Sequence, residues 1–381
     1  MDRRQFIAEM AKLGFMLQLA PAAAQAATLP SRGGSQSPTT GVQLPPAEGE
    51  YYVKNPDGSV TCGLCPHHEV LRPGELGRCR TRTNLAGKLH TYAVGQPCVL
   101  NLDPIEKNPL NHVLPGASIL SVAHAGCNLR CQYCQNWQFS QECPRDTRNL
   151  RFDQAEALAL ARDKNLKAIT FTYTEGTTHI EFNKRLAAAA KKLGLRAFLC
   201  SNGYIQPKPL ADFLEVLDGA TVTIKGFTDA FYATYIGAPS PKPVLEACRQ
   251  IKKAGKWLEV ATLIIPALND SERELRDIAR WIRAELGPDT PWHLERFTPK
   301  FKMANRPQTP VATLERAMQL GRAEGLRFVY ISNLAPHDGN HTYCPRCHKP
   351  VIRRLGFKVL ANELRAGQCP HCRTALPGIW T

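Results

Sequence analysis

The sequence predicts an α/β fold, a full or partial parallel β/α barrel, because short apolar segments alternate with amphipathic helical segments through the middle of the chain. The number of these units suits a barrel better than an open nucleotide-binding sheet, and no G-x-G-x-x-G follows the first strand. A loop with three cysteines follows that strand instead. Parallel barrels carry their chemistry at this edge, on the loops that follow the strands.

Each predicted strand is a short apolar run, and each predicted helix has apolar residues at helical spacing. The strands are Ser118–His124, Ala168–Tyr173, Arg196–Ser201, Ala220–Lys225, Leu258–Ile264, Trp292–Phe297 and Phe328–Ser332. The helices are Asp153–Asp163, Ile180–Leu193, Val244–Ala254, Glu272–Leu286 and Val311–Glu324.

The N-terminus, residues 1–27, resembles a twin-arginine export signal, because Arg3 and Arg4 precede an apolar stretch and several small residues. This favours export to the periplasm. The alternative is a cytoplasmic protein with a frayed amphipathic tail, since Glu9 and Lys12 interrupt the apolar stretch. No other segment is long and apolar enough to span a bilayer.

The rest of the chain divides by composition into four segments. A stretch rich in Pro, Gly, Ser and Thr predicts a flexible linker, and cysteine-containing segments flank the barrel on both sides. The predicted boundaries are 28–50 for the linker, 51–96 for the N-terminal cysteine-containing segment, 97–340 for the barrel and 341–381 for a C-terminal zinc-ribbon-like segment.

The charge balance, 48 Lys+Arg against 33 Asp+Glu or +15, favours an anionic partner such as a nucleotide cofactor or an acidic protein surface. The basic residues are dispersed, without the long Lys/Arg block that would favour nucleic acid.

Of the 14 cysteines, ten fall into three groups. Clustered C-x-x-C pairs indicate metal ligands more than disulfides. The others are expected to be small buried hydrophobes or incidental thiols: Cys98, Cys143, Cys200 and Cys248.

The central group has the spacing C-x-x-x-C-x-x-C, formed by Cys127, Cys131 and Cys134. Three thiolates can hold three irons of a 4Fe-4S cube and leave the fourth iron without a protein ligand. A site that is one ligand short keeps a position for chemistry, as catalytic zinc sites do. The alternatives are cysteines placed for packing, or a zinc knuckle.

The C-terminal group has two C-x-x-C pairs, the arrangement of a four-thiolate ribbon, so its ligands are expected to be Cys344, Cys347, Cys369 and Cys372. Zn²⁺ is favoured at this site, with a rubredoxin-like iron as the alternative.

The N-terminal group, Cys62, Cys65 and Cys79, is one ligand short of a closed site, so an additional metal here needs His67, His68 or Glu69. The alternative is a metal-free remnant.

The cysteine loop with the following Gln-Asn-Trp resembles the cluster motif of radical S-adenosylmethionine (SAM) enzymes. Residues 51–381 resemble the radical enzymes of the AmmeMemoRadiSam system, which look like pyruvate formate-lyase activating enzymes with added terminal segments. The matching stretches are Cys62–His67, Arg72–Cys79, Leu102–Leu110, Leu114–Gly116, Ile264–Asp270, Tyr343–Cys347 and Pro377–Trp380.

This resemblance implies a 4Fe-4S cluster on the central cysteines, whose open iron binds SAM. One electron then cleaves SAM to a 5′-deoxyadenosyl radical that abstracts hydrogen from a substrate. Activation of a glycyl-radical protein is the best-known outcome in such relatives, and a low-potential donor such as flavodoxin or ferredoxin supplies the electron. The alternatives are an RNA- or peptide-modifying radical enzyme and an inactive iron-sulfur or zinc redox module.

The resemblance also implies which residues bind the cofactor. Glu175 matches an acidic residue that faces the cofactor amino group, although it could instead cap the following helix. Thr174, Gly176 and Thr223 depart from the family pattern. Because Thr223 replaces an Asp, the substrate or its protonation chemistry is expected to differ from that of relatives. The catalytic residues are expected to be Cys127, Cys131 and Cys134, and the cofactor-binding residues Tyr133, Glu175, Asn202, Lys225, Glu259, His293 and Arg296. The alternative for Asn202 is a strand-to-helix turn, and the alternative for Glu259, His293 and Arg296 is a structural hydrogen bond.

Overall fold

An eight-stranded sheet forms the centre of the protein, which the computed structural model describes over residues 42–381. The predicted export signal lies outside the described residues. The strands follow one another across the sheet in chain order, and every neighbouring pair is parallel except β1 and β2. The strands are β1 Val99–Pro104, β2 Ser118–Ala123, β3 Ala168–Phe171, β4 Arg196–Ser201, β5 Gly219–Thr223, β6 Trp257–Ile264, β7 Trp292–Arg296 and β8 Val329–Ser332.

All seven predicted strands are therefore present, which confirms the parallel α/β core. Strand β1 is an addition that sequence analysis missed. It runs antiparallel to β2, and its apolar residues alternate with Asn101 and Asp103, a pattern too short to stand out in the sequence.

Helices follow most of the strands: α1 Gln154–Asp163, α2 Ile180–Lys192, α3 Pro207–Leu214, α4 Lys242–Lys253, α5 Glu272–Trp281 and α6 Val311–Ala323. All five predicted helices are present, and α5 continues as a π-helical turn, Ile282–Leu286. The start of α1 is fixed by a capping box between Asp153 and Glu156. No helix in the described part of the chain is long and apolar enough to cross a membrane.

Shorter helical segments lie in the connections. They are Trp137–Ser140, Asp229–Phe231 and the π-helical turn Tyr232–Ile236, and the 3-10 turns Ile105–Lys107, Pro144–Asp146, Gly176–His179, Phe301–Met303 and Asp338–Asn340.

The sheet curves around the loop that joins β1 to β2. In this loop the Asn108 carbonyl accepts hydrogen bonds from Thr221 Oγ1 of β5, at 2.8 Å, and from Cys200 Sγ of β4, at 3.4 Å. A ring nitrogen of His112 lies 2.7 Å from the Tyr330 hydroxyl of β8. Contacts from β4, β5 and β8 to one short loop require a barrel-like curve. Among residues 42–381, β1 and β8 do not pair, so the barrel is partial.

The C-terminal residues close the amino end of this barrel. The Leu114 amide donates to the Ile379 carbonyl at 2.7 Å, and the Ile379 amide donates to the His112 carbonyl at 2.8 Å. Gly378 is required here, because a Cβ would lie 2.6 Å from the His112 carbonyl oxygen. Three stretches that carried the family resemblance therefore meet at this end of the barrel: Leu102–Leu110, Leu114–Gly116 and Pro377–Trp380. We call them the plug.

Three small antiparallel sheets flank the barrel. They are Ala47–Glu48, Lys88–Thr91 and Arg82–Leu85; Tyr52–Lys54, Val60–Cys62 and Val70–Leu71; and Thr342–Tyr343, Pro350–Leu355 and Lys358–Asn362. Ala47–Glu48 pairs with Lys88–Thr91, so the last part of the predicted linker is a strand rather than a tether. Buried ion pairs join both flanks to the barrel: Arg82 with Glu181, and Arg354 with Glu106 at 3.4 Å. The predicted domain boundaries themselves remain predictions.

Candidate active site

The loop with the three central cysteines follows β2, at the carboxyl end of the parallel strands. Gly126 allows the chain to turn there, since its φ is +101°. A Cβ at this position would lie 2.5 Å from both the Cys79 carbonyl oxygen and the Thr81 Cγ2 atom. The Cys127 amide donates to the same carbonyl at 3.1 Å. The N-terminal segment therefore supports the loop from one side.

A second support comes from the π-helical turn Tyr232–Ile236. Such a turn leaves carbonyls free, and two of them accept amide hydrogens from the loop. The Arg130 amide donates to Ile236 at 2.8 Å, and the Gln132 amide donates to Tyr235 at 2.9 Å. The guanidinium of Arg130 also donates to the Cys127 carbonyl at 2.8 Å. The loop is thus fixed by backbone bonds that do not use its thiols.

The three central thiols lie farther apart than the four C-terminal thiols. Cys131 is buried, and Cys127 and Cys134 are partly exposed. They do not meet within 4.8 Å of one another, whereas the C-terminal cysteines do. A cube spreads its thiolates over separate irons, so a wider spacing suits it. Burial raises the pKa of the Cys131 thiol to about 11 and that of Cys127 well above its usual value, so both thiols would have to lose a proton to bind a metal.

Tyr133 and Asn202, two of the predicted cofactor residues, lie beside these cysteines. The Asn202 Nδ2 atom donates to Asn128 Oδ1 at 2.9 Å and lies 3.7 Å from the Cys127 sulfur. The Tyr133 hydroxyl is buried and has no hydrogen-bond partner within the described residues. An unpaired buried hydroxyl next to the thiols fits a group that binds there.

Lys225, directly after β5, brings a positive charge to the same place. Burial lowers the pKa of its ammonium group. The thiolate charges of Cys131, Cys127 and Cys134 outweigh burial, so the pKa is raised. A cation near three thiolates offsets part of their negative charge.

Glu175 is buried and has donors from the neighbouring strand end. Its carboxylate accepts from Ser201 Oγ at 2.7 Å, from the Asn202 amide at 2.7 Å, and from the Thr177 hydroxyl at 2.8 Å. It also accepts from the Thr177 amide at 3.2 Å and caps the turn Gly176–His179. Its position thus matches the capping alternative, and contact with the cofactor amino group stays a prediction.

Two other predicted cofactor residues, Glu259 and His293, lie away from the cysteine loop, at the opposite end of the barrel. They are near the amino ends of β6 and β7, where both are fully buried and pair at 2.7 Å. Glu259 also accepts the amides of Asn111 and His112, at 3.1 and 2.9 Å, and the Trp257 indole N–H at 3.0 Å. These contacts hold the barrel plug. The structure thus separates this pair from the cysteine loop, because the side chains face the amino end of the barrel.

Arg296 lies at the carboxyl end of β7, and its Nε donates to the Thr309 carbonyl at 2.9 Å. It fixes the loop after β7. Sequence analysis missed its neighbour Glu295, which faces the barrel interior. The available signal was its spacing of two from His293, since alternate strand residues share a face.

The C-terminal cysteines form a compact four-thiol group. All four sulfurs lie within 4.8 Å of one another, with 3.4 Å between Cys344 and Cys372 and 3.7 Å between Cys347 and Cys369. A tetrahedron with metal–sulfur bonds of 2.3 Å has edges of about 3.8 Å, so one ion fits. Burial raises the pKa of Cys344, whereas hydrogen bonds with Thr374 lower that of Cys372.

The N-terminal cysteines are not gathered into a comparable group within residues 42–381. Cys79 Sγ accepts from the Thr81 hydroxyl at 3.1 Å, and both oxygens of Glu69 accept the Arg78 amide. His67 Nε2 lies 2.9 Å from the Asn128 carbonyl oxygen. Glu69 and His67 thus have other partners, and a metal at this site stays a prediction.

Comparisons with known proteins agree with this fold and with the position of the cysteine loop. The model of the radical SAM superfamily matches residues 122–282, which include the cysteine loop. An uncharacterised protein of Methanocaldococcus jannaschii is 39% identical over 327 residues, 85% of this chain and 97% of that protein.

Two solved structures were also matched. A domain of a pyruvate-formate lyase-activating enzyme from Bacteroides vulgatus has a TM-score of 0.39 at 14% identity, covering 44% of this chain and 99% of that one. A radical SAM methyltransferase from Sphaerobacter thermophilus has a TM-score of 0.45 at 17% identity, covering 58% and 68%. With the superfamily match across the cysteine loop and the relative along nearly its full length, the chain belongs to the radical SAM superfamily.

Proposed function

We propose that the protein cleaves SAM reductively at a 4Fe-4S cluster held by Cys127, Cys131 and Cys134, and that the resulting radical abstracts hydrogen from a substrate. The observation that carries this proposal is the three-thiol loop at the carboxyl end of β2, with Lys225 facing it. The bound cluster would supply the electron that breaks the sulfonium bond of SAM.

The residues of the chain supply position and charge balance. The three thiolates hold the cluster, while the backbone bonds of Arg130 and Gln132 fix the loop. Lys225 balances negative charge beside the thiolates.

We also propose a low-potential electron carrier, such as flavodoxin or ferredoxin, and a protein or peptide substrate, with glycyl-radical activation as one form of the reaction. The charge of +15 supports an acidic carrier, because opposite charge speeds encounter. At the C-terminal four-thiol group we propose Zn²⁺, since four closed thiolates are typical of structural zinc.

The test is anaerobic reconstitution with iron and sulfide, followed by reduction in the presence of SAM and quantification of 5′-deoxyadenosine. The variant Cys127→Ala/Cys131→Ala/Cys134→Ala removes the proposed ligands. Cys98→Ala is the matched control, because Cys98 is also a partly exposed cysteine but is outside the loop.

We expect 5′-deoxyadenosine from the native protein and from Cys98→Ala, and none from the triple variant. If the native protein carries a full cluster and yields no 5′-deoxyadenosine with any of several reductants, the proposal is wrong. The iron-sulfur or zinc redox module then becomes the leading alternative.

A further inference from the structure

The short helix that follows the cysteine loop holds a buried serine against one of the three central thiols. This helix, Trp137–Ser140, begins three residues after Cys134. Ser140 is 2% exposed, and its Oγ atom lies 3.2 Å from the Cys134 Sγ atom. This is hydrogen-bonding distance for a sulfur acceptor, and burial of the serine keeps bulk water from competing for its hydroxyl group.

Backbone hydrogen bonds hold this helix in place. The Gly126 amide donates to the Phe139 carbonyl at 2.9 Å, and the Ser140 amide donates to the Asn136 carbonyl at 2.9 Å. Gly126 directly precedes the first cysteine of the loop, and Asn136 follows the last one by two residues. The helix is therefore fixed to both ends of the loop by bonds that do not involve the thiols.

The direction of the hydrogen bond follows from a second contact of the same hydroxyl group. A serine hydroxyl has one hydrogen to donate and two lone pairs that accept. Gln141 Nε2 donates to Ser140 Oγ at 3.0 Å, so the oxygen is the acceptor in that bond. Within residues 42–381, the only other side-chain contact of Ser140 Oγ is Cys134 Sγ. A cysteine that binds iron has lost its hydrogen, so the serine is the donor to the sulfur.

This donor differs from those at Cys127. The Cys127 sulfur accepts the Leu129 amide at 3.4 Å and lies 3.7 Å from Asn202 Nδ2. The Ser140 contact is the shortest of the three. Hydrogen bonds to the sulfurs help to set the reduction potential of an iron-sulfur cluster. Since the reduced cluster carries one more negative charge than the oxidised cluster, a donor to a ligand sulfur stabilises the reduced form more.

We propose that Ser140 is a positioning residue that donates its hydroxyl hydrogen to the Cys134 thiolate and thereby raises the reduction potential of the cluster. This inference rests on the proposed function, which it deepens by naming a residue that makes the cluster easier to reduce. Gln141 contributes by occupying the serine oxygen, which leaves the hydroxyl hydrogen for the sulfur. The first ligand sphere of three thiolates is thus supplemented by a side chain that contacts no iron.

The test measures the midpoint potential of the reconstituted cluster by anaerobic redox titration, followed by electron paramagnetic resonance without SAM. Ser140→Ala removes the donor, and Ser140→Thr keeps a hydroxyl group. Ser121→Ala is the matched control, because Ser121 on β2 is also fully buried but its hydroxyl has no partner within residues 42–381. Iron and sulfide content establishes that each variant carries a full cluster.

A second readout detects the hydrogen itself. Pulsed electron paramagnetic resonance of the reduced cluster in D₂O records exchangeable deuterons close to the cluster, and the Ser140 hydroxyl should supply one of them. Gln141→Leu is a further variant that leaves Ser140 in place but frees its hydroxyl to rotate. This variant decides the test if Ser140→Ala does not assemble a cluster.

In Ser140→Ala we expect the ratio of reduced to oxidised cluster at the native midpoint potential to fall at least about threefold. For one electron this is a shift of roughly 30 mV to more negative potential. Gln141→Leu should shift the potential in the same direction by less, while Ser140→Thr and Ser121→Ala should keep the native potential. One deuteron coupling should be absent from Ser140→Ala and present in Ser121→Ala.

The inference is wrong if every variant with a full cluster has the native potential, or if Ser140→Ala retains all the deuteron couplings of the native protein. Because neither measurement uses SAM, the result is independent of radical formation. A shifted potential in Ser140→Ala, together with no 5′-deoxyadenosine from the native protein, would support the hydrogen bond and overturn the radical function.

Discussion

His293 and Glu259 form a fully buried pair, with 2.7 Å between the histidine Nε2 and a carboxylate oxygen. Burial opposes ionisation of Glu259, but the hydrogen bond and charge of His293, the charge of His112 and the hydrogen bond from the Trp257 indole together lower its pKa. Since the same carboxylate holds two amides of the loop between β1 and β2, it links the sheet to its plug.

We predict that Glu259→Gln destabilises the protein by about 3 to 5 kcal/mol, because an amide oxygen cannot accept all the donors that surround the carboxylate. Urea denaturation measures this loss, with Glu315→Gln as the exposed control. SAM affinity of the folded variant should stay at the native level. Unchanged stability together with lost SAM binding would instead support the cofactor role expected from the sequence.

Gly126→Ala should prevent cluster assembly. The added Cβ would meet Cys79 and Thr81 at 2.5 Å, in a backbone conformation that already disfavours alanine. Iron and sulfide content after reconstitution measures the effect, which we expect to exceed a tenfold loss. Gly194→Ala is the matched control, since Gly194 also has a positive φ, +74°, but has nothing within 4 Å of an added Cβ. Equal iron in the two variants would contradict the steric argument.

Removing the metal that we propose at the C-terminal four-thiol group should loosen the plug. Leu376 and Trp380 connect this group to the barrel, because the Trp380 indole donates to the Leu376 carbonyl and its ring lies 5.4 Å from that of His112. We predict that Cys369→Ser loses about one metal ion per chain and at least about 3 kcal/mol of unfolding free energy.

Mass spectrometry measures the metal content. Thermal unfolding, monitored by tryptophan fluorescence, measures the loss of stability. Cys98→Ser provides the comparison for a partly exposed cysteine outside the four-thiol group. A variant that loses its metal yet unfolds at the same temperature as the native protein would show that the metal does not stabilise the plug.

Stability should fall with acidification through His112. Burial lowers the pKa of this imidazole from 6.5 to about 4. Between about pH 6.5 and pH 4 the unfolded chain therefore binds a proton that the folded chain excludes. The free energy of unfolding falls by up to roughly 3 kcal/mol over this range. His112→Gln should flatten the pH dependence of unfolding over this window, even though it also lowers stability at pH 7.

The exposed His68→Gln variant provides the comparison for this pH series, and urea denaturation at each pH provides the measurement. Equal slopes for the native protein and His112→Gln would show that this imidazole does not set the acid limit.

The sequence by itself determined the parallel α/β core, all seven predicted strands and the position of the cysteine loop after the first of them. It could do so because apolar runs and amphipathic helices have fixed periods, and because cysteine spacing is a local property. It also grouped the four C-terminal cysteines that the structure brings within 4.8 Å.

Only the tertiary structure decided which polar residues share a site. Glu259 and Glu295 lie on neighbouring strands. Glu259 accepts loop amides from far away in the chain, whereas Glu295 faces the barrel interior and accepts no side-chain hydrogen bond from residues 42–381. A strand pattern gives the face of a residue but not its height in the barrel or its partners, which come from loop closure and curvature. For that reason the sequence placed Glu259 and His293 with the cofactor and overlooked Glu295.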